Sequence, residues 1–364
     1  MYLNKFKNKK ILITGHTGFK GSWLALWLQK LGAEVVGYAL EPETKPNLFE
    51  VLNLETKVTN YFGDIRDFEK LETVIQKEKP EIIFHLAAQA LVRESYKNPR
   101  KTFEVNTMGT VNLLEACRNC DSVKTIINVT TDKCYENKEW VYGYRESDAL
   151  GGYDPYSASK ANSEIITASY RNSFFNPQDY GNKHHVALAS ARAGNVIGGG
   201  DWSEDRLVPD CIKSLSQKQS ILIRNPLATR PWQHVLEPLR GYLWLAAKMM
   251  DDPISYSQAW NFGPNDDGQI NVEILVQKII KNWGAGDYQI DKSIQPHEAH
   301  LLKLDLSKSK ALLKYQPCLD INQCIALTVD WYKHYYDNCD MQRICLEQIK
   351  KISSYDNISA IASS

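Results

Sequence analysis

The chain has 364 residues, 43% of them hydrophobic, and its 43 Lys and Arg balance 43 Asp and Glu. Such a length holds one large domain or two smaller ones, and such an apolar content excludes a disordered chain. The charge balance excludes a general attraction to nucleic acid or an anionic membrane, and no apolar run approaches the roughly 20 residues of a membrane helix.

The basic start MYLNKFKNKK runs into ILIT, which is too short for a secretory core before Gly15 and His16 interrupt it, so a cytoplasmic protein is expected. KILITG reads as a buried strand entering a glycine turn, and FKGSWLALWLQKLG as a helix stopped by Gly32. AEVVGYAL is a second strand, KLETVIQKEKP a helix, EIIFHLAA a strand, NTMGTVNLLEACRN a helix and KTIINVTT a strand. This alternation predicts an α/β fold, a Rossmann-type doubly wound parallel sheet, over residues 1–195. Beyond residue 195 proline and tryptophan rise, as in NPLATRPWQHVLEP, and a smaller mixed α/β substrate-binding cap is expected over 196–350, with a later return of the chain to the first domain left open. NVEILVQKIIKNWG within it has the spacing of an amphipathic helix, and the polar tail 351–364 is expected to fray. The eight cysteines are expected as thiols. Cys117 and Cys120 form a C-x-x-C in a helical run with no second pair nearby, which favours packing over zinc.

TGHTGFKG spaces Gly15, Gly18 and Gly21 as G-x-x-G-x-x-G between the first strand and helix. Gly15 suits a tight turn, Gly18 close approach of a pyrophosphate to helix N–H groups, and Gly21 close helix–strand contact. A dinucleotide site over Gly15, His16, Thr17, Gly18, Phe19, Lys20 and Gly21 is therefore expected. A cation at Lys20 would help hold a pyrophosphate, whereas bulk at His16 would hinder it. The second strand ends GYALEP, with Glu41 late and no nearby Arg for a 2′-phosphate, which favours NAD over NADP. Asp64 in GDIRD is suited to bond the adenine amino group or to cap the following helix.

NVTTDKCYEN sets Thr131, Asp132 and Lys133 side by side after an apolar strand. As a strand end it would turn Asp132 and Lys133 to opposite faces, with no need for an ion pair. Further on, YSASK puts Tyr156 and Lys160 four apart on one helix face. A lysine cation beside a tyrosine favours the phenolate, which can accept a hydroxyl proton while hydride leaves the same carbon for a nicotinamide.

TGHTGFKG, HLAAQALV, NTMGT, TTDK and PYSASKANSE, in this order, resemble the extended short-chain dehydrogenase/reductase family of nucleotide-sugar epimerases and dehydratases over residues 8–335. The resemblance implies a Rossmann domain carrying NAD, a C-terminal region closing over a nucleotide-diphospho-sugar, and a homodimer or homotetramer built through helices starting near residues 104 and 156. By position it sets Ile65, Leu86, Ala87, Ala88, Gln89 and Asn106 at the cofactor, Thr131 at the sugar hydroxyl, Tyr156 and Lys160 as the catalytic pair, and Asn195 in RAGNVIG at the substrate phosphates. Dehydratases of the family carry Asp then Glu after the Ser or Thr, where this chain has Asp132 and Lys133. The Asp–Lys pair, GHTGFKGSWL and TRPWQHVLEPL resemble the CDP-glucose 4,6-dehydratases, which implies CDP-glucose as substrate and a place in deoxysugar and lipopolysaccharide O-antigen synthesis.

That chemistry needs an acid at the C6 hydroxyl and a base at C5, for which Asp132 and Lys133 are the candidates. The alternative for Lys133 is an electrostatic role at the enolate oxygen or Asp132. An epimerase would share Tyr156 and Lys160 without needing the acid–base pair, and a non-catalytic dinucleotide-binding sensor would usually lack one of the two. Arg206, Arg224 and Arg230 are candidates for a diphosphate clamp, because guanidinium forks bind phosphate bidentately. His297, in PHEAH with Glu298 and His300, is a candidate substrate contact at the cap rather than a metal ligand, since the reaction needs no metal.

Overall fold

The computed structural model describes residues 2–291 and 301–361. Each apolar run of the first half forms the element its period predicts. Strands β1 (Lys10–Thr14), β2 (Glu34–Ala39), β3 (Thr59–Phe62), β4 (Ile82–His85), β5 (Thr125–Val129) and β6 (Ala187–Arg192) alternate with helices α1 (Phe19–Lys30), α2 (Phe68–Glu78), α3 (Gly109–Arg118) and α4 (Pro155–Ser173). A seventh strand, β7 (Ala259–Asn261), comes from the stretch assigned to the cap and pairs with β6. The seven strands are all parallel, in the order β7-β6-β5-β4-β1-β2-β3. From β1 the order runs through β2 to β3 on one side and through β4 to β7 on the other, so β1 and β4 flank the switch point where such sheets open a crevice.

Strands β1, β4 and β5 are buried on both faces, as parallel strands under helices must be. Helix α1 departs from a one-faced pattern: residues 21–28 are all buried, because the helix packs against α6 (Leu236–Asp251) and α9 (Met341–Ile361) as well as the sheet. NTMGTVNLLEACRN splits into a π-helical turn over Glu104–Met108 and then α3. All eight cysteines are free thiols.

The cap region holds α5 (Leu207–Ser216), α7 (Val272–Trp283), α8 (Ile321–Tyr336) and, among the described residues, three small strand pairs, 196–197 with 233–234, 221–223 with 288–290 and 229–231 with 269–271. Helix α7 ends on Gly284, whose φ of +99° suits a left-handed cap.

The tail 351–364 was expected to fray, but as far as Ile361 it is helical. Helix α9 continues to Ile361, with Ile344, Cys345, Ile349 and Ile352 buried. Asp356 accepts hydrogen bonds from Arg240 Nε (2.8 Å) and Tyr2 OH (2.9 Å). The polar composition hid widely spaced apolar residues and one buried ion pair, which together anchor the helix. Among the described residues no helix is long and apolar enough to cross a membrane.

Candidate active site

A cleft of about 990 Å³ opens beside the C-terminal ends of the strands, walled on one side by the glycine turn and on the other by the cap. Gly15 has φ +78°, and a Cβ there would lie 2.7 Å from Ala87 N; at Gly21 it would lie 2.1 Å from Gly15 O. Only glycine permits this tight turn and this close start of α1. The N-cap of α1 is Gly18, with no side chain bonded to the first N–H groups. That end of the helix is therefore open to an anionic ligand, which fits the pyrophosphate of a dinucleotide.

Thr17, Gly18, Phe19, Lys20, Asp64, Ile65 and Leu86 to Gln89 line the cleft. His16 does not. Its ring is fully buried, its Nε2 is 2.9 Å from Asn60 Oδ1, and it packs over Gly37 and edge-on to Phe49. The alternation of the turn sends it under β2, where burial pushes its pKa down to about 4. Its bulk thus sits behind the turn rather than at the pyrophosphate.

Asp64 does not cap the next helix; Asp67 does, accepting from Lys70 N. Asp64 instead accepts from Arg66 N (2.9 Å) and pairs with its guanidinium (2.7 Å), which holds its carboxyl below the usual range. Asn106 lies behind the cleft wall. Its amide accepts from Gln89 N (2.8 Å) and donates to Gln89 O (3.0 Å) and Ser159 Oγ (2.8 Å), tying the loop after β4 to α4.

The opposite wall carries the candidate reactive groups. Tyr156 and Lys160, on the first turns of α4, are buried and line the cleft. Asp154 caps α4 by accepting from Ser157 N, and Pro155 begins it, so the tyrosine is held at the helix start. Burial pushes the Tyr156 phenol up to about 12, opposed by the Thr131 hydroxyl. Burial also pushes Lys160 down to about 8, opposed by Glu164, and its ammonium donates to Val129 O at 3.1 Å. Half-buried Lys20 is pushed down to about 7 by burial and by its cationic neighbours Arg206, Lys160 and Lys133, while Asp132 opposes.

TTDK is not an extended strand end. Strand β5 stops at Val129, and Thr131 caps a single 3-10 turn over Asp132–Cys134, its Oγ1 accepting from Lys133 N at 3.3 Å. The turn brings Asp132 and Lys133 together where a strand would part them, with Lys133 Nζ 3.5 Å from Asp132 Oδ1. Asp132 also accepts from Thr131 Oγ1 (3.0 Å) and from the amide of Asn195 (3.3 Å). Lys133 lines the cleft, whereas the fully buried Asp132 lies directly behind it. Asn195, with φ +47°, lines the cleft too, but its amide is engaged by Asp132.

Arg206, Arg224 and Arg230 all line the cap side. Arg206 pairs with Asp201 at 2.9 Å and Arg224 with Asp205 at 2.8 Å, while Arg230 donates to Thr229 O at 3.0 Å. His297 lies outside the described residues.

The profile of the GDP-mannose 4,6 dehydratase family matches residues 12–328. The chain belongs to that family. It is 49% identical to a CDP-glucose 4,6-dehydratase of Salmonella typhimurium, over 97% of each chain. A dTDP-D-glucose 4,6-dehydratase of Dictyostelium discoideum is 34% identical over 59% of this chain and 50% of its own length. In fold, the chain superposes on the dTDP-glucose 4,6-dehydratase of Bacillus anthracis, solved in complex with NAD, with a TM-score of 0.76, 21% identity, and coverage of 92% and 99% of the two chains. It superposes likewise on the UDP-glucose 4-epimerase of Thermotoga maritima, with a TM-score of 0.77, 23% identity, and coverage of 90% and 99%.

Two cleft features of this dehydratase-family chain escaped the sequence reading. Arg93, just past HLAAQALV, lines the cleft and shares Asp205 with Arg224, at 3.4 Å; a lone arginine in a loop gave no signal. Gly194 precedes Asn195 in RAGNVIG, and a Cβ on it would lie 1.9 Å from Asp132 Oδ2. Gly194→Ala is therefore expected to displace the Asp132 carboxylate and, with Asp132 as the candidate acid, to lower turnover by about 10²-fold. Steady-state kinetics, beside a thermal melt to confirm folding, would check it.

Proposed function

We propose that the chain is an NAD-dependent CDP-glucose 4,6-dehydratase, which converts CDP-D-glucose to CDP-4-keto-6-deoxy-D-glucose and water. The observation that carries this reading is the Asp132–Lys133 pair in the turn that begins at Thr131, facing Tyr156 and Lys160, in a chain 49% identical end to end to a CDP-glucose 4,6-dehydratase. The uncapped start of α1 and the glycine turn hold the dinucleotide. The chemistry supplied by NAD when bound is acceptance of hydride from C4 and its return to C6, so turnover leaves no net redox change.

The residues do the rest. Thr131 aligns the O4 hydroxyl, and Tyr156, in its phenolate form beside the Lys160 cation, takes its proton. A ketone at C4 makes the C5 proton acidic, and Lys133 on the cleft wall, as its neutral amine, removes it. Asp132, directly behind that wall, gives the proton of its neutral carboxyl to the departing O6, which leaves as water. Arg206, Arg224 and Arg230, with Arg93 beside Arg224 on Asp205, clamp the diphosphate.

The test is to incubate the protein with NAD⁺ and with CDP-glucose, dTDP-glucose or a GDP-hexose, and to read the 4-keto product by its absorbance in strong alkali. An epimer gives no such absorbance. Turnover of dTDP-glucose without CDP-glucose overturns the assignment.

Lys20 adds a pH dependence. Its pKa near 7 rises when an anionic pyrophosphate binds beside it, so binding takes up a fraction of a proton near neutrality. Dinucleotide affinity should fall as pH rises through about 7, and calorimetry in buffers of different ionisation heat would show the uptake.

A homodimer through the helices starting near residues 104 and 156 accords with the exposure of Met108 and Ile165 on them. Light scattering should then give twice 41.5 kDa.

A further inference from the structure

One buried ion pair beside the reactive groups has no part in the steps above. Glu164 lies on α4, one turn beyond Lys160 and two beyond Tyr156, so the three share a helix face. It is 2% exposed and does not line the cleft. Its carboxylate accepts three hydrogen bonds: Oε1 from Thr130 Oγ1 (2.5 Å), and Oε2 from Ser190 Oγ (2.7 Å) and Arg192 Nη2 (2.8 Å). Thr130 immediately precedes Thr131, while Ser190 and Arg192 lie on β6. Arg192 in turn donates to Tyr135 OH (2.7 Å), and Tyr135 to Asn261 on β7 (2.8 Å). The carboxylate thus joins the catalytic helix to the end of β5 and to the outer strands.

A surface-type ion pair would not need this setting, and a buried one is a poor source of stability, because desolvation offsets most of the attraction. Retention of a full charge here is better explained by what it faces. The groups around Lys160 are Tyr156 and Glu164 on its own helix, the Val129 carbonyl, Cys134 from the 3-10 turn, Lys20 from α1 and His85 from the end of β4. Of these, Glu164 is the carboxylate.

We propose that Glu164 is a positioning residue: by bonding Thr130 it fixes the backbone that carries Thr131, and by standing beside Lys160 it holds the positive charge on that lysine. The inference rests on the dehydratase reading only for the use made of that charge. Arg192 is the partner that limits the field of Glu164 at Lys160.

The two variants of the pair should therefore act in opposite directions. Residue-resolved acetylation of lysines with acetic anhydride across pH 6 to 10, read by mass spectrometry, gives the titration of Lys160 without any turnover. In Glu164→Gln the Lys160 midpoint should fall by at least about one pH unit. In Arg192→Met it should stay or rise, and in Glu164→Asp it should return toward the unaltered chain. In CDP-glucose turnover, Glu164→Gln should move the alkaline limb of kcat to lower pH, with kcat about 10-fold lower and KM within about 3-fold. An unchanged Lys160 midpoint in Glu164→Gln, or equal displacement in both variants, overturns the proposal and leaves the pair a purely structural bond. If Glu164→Gln does not fold, the sign of the shift in Arg192→Met decides: a fall overturns it. Absence of CDP-glucose turnover by the unaltered chain would strike the function above and leave the Lys160 titration still readable.

Discussion

Tyr156→Phe is expected to lower CDP-glucose turnover by about 10³-fold, within the range for loss of a positioned proton acceptor. Hydride cannot leave C4 unless the O4 proton leaves too, and the phenol is the group on the cleft wall placed to take it. The ring is 8% exposed and sits at the capped start of α4, so phenylalanine fills the same space and the fold should hold. Both the alkali-absorbing product and the near-ultraviolet absorbance of reduced cofactor in a single turnover should be lost together, because the block lies at the first step. A variant that still reduces cofactor at the normal rate would remove Tyr156 from the role.

Lys133→Ala should separate the steps. Lys133 lines the cleft and its side chain pairs with Asp132, while its bond to Thr131, the residue assigned to align O4, is made by the backbone N–H that alanine retains. Oxidation should therefore proceed, seen as reduced cofactor, while exchange of H5 with solvent falls by about 10²-fold or more. Deuterium incorporation at C5, followed by NMR in heavy water, measures it. Asp132 keeps its bonds to Thr131 and Asn195 in this variant, so a general collapse of the turn is not expected. Normal exchange at C5 would show that Lys133 steadies charge while another group takes the proton. Asp132→Asn gives the complementary result: H5 exchange persists, and loss of water slows.

The elements legible in the sequence were those whose signal is local. The alternation of apolar runs gave the parallel sheet, the strand–glycine–helix junction gave the dinucleotide turn, and a four-residue spacing put Tyr156 and Lys160 on one face. Each depends on the backbone period within a few residues. Membership of the dehydratase family followed from the same motifs and agrees with the profile match over residues 12–328.

By itself, then, the sequence determined the fold class and the family and singled out the candidate reacting side chains, because these are set by residue type and short-range spacing. Tertiary structure alone decided how they are held. It curled TTDK into a 3-10 turn, so that Asp132 and Lys133 pair, and it placed Gly194 against a carboxylate more than sixty residues earlier. It also turned His16 under β2, joined Glu164 to Arg192 and Thr130, and anchored the tail through Asp356 and Arg240. Such contacts join residues far apart in the chain, and their energy comes from burial and desolvation that exist only once the sheet and cap are packed.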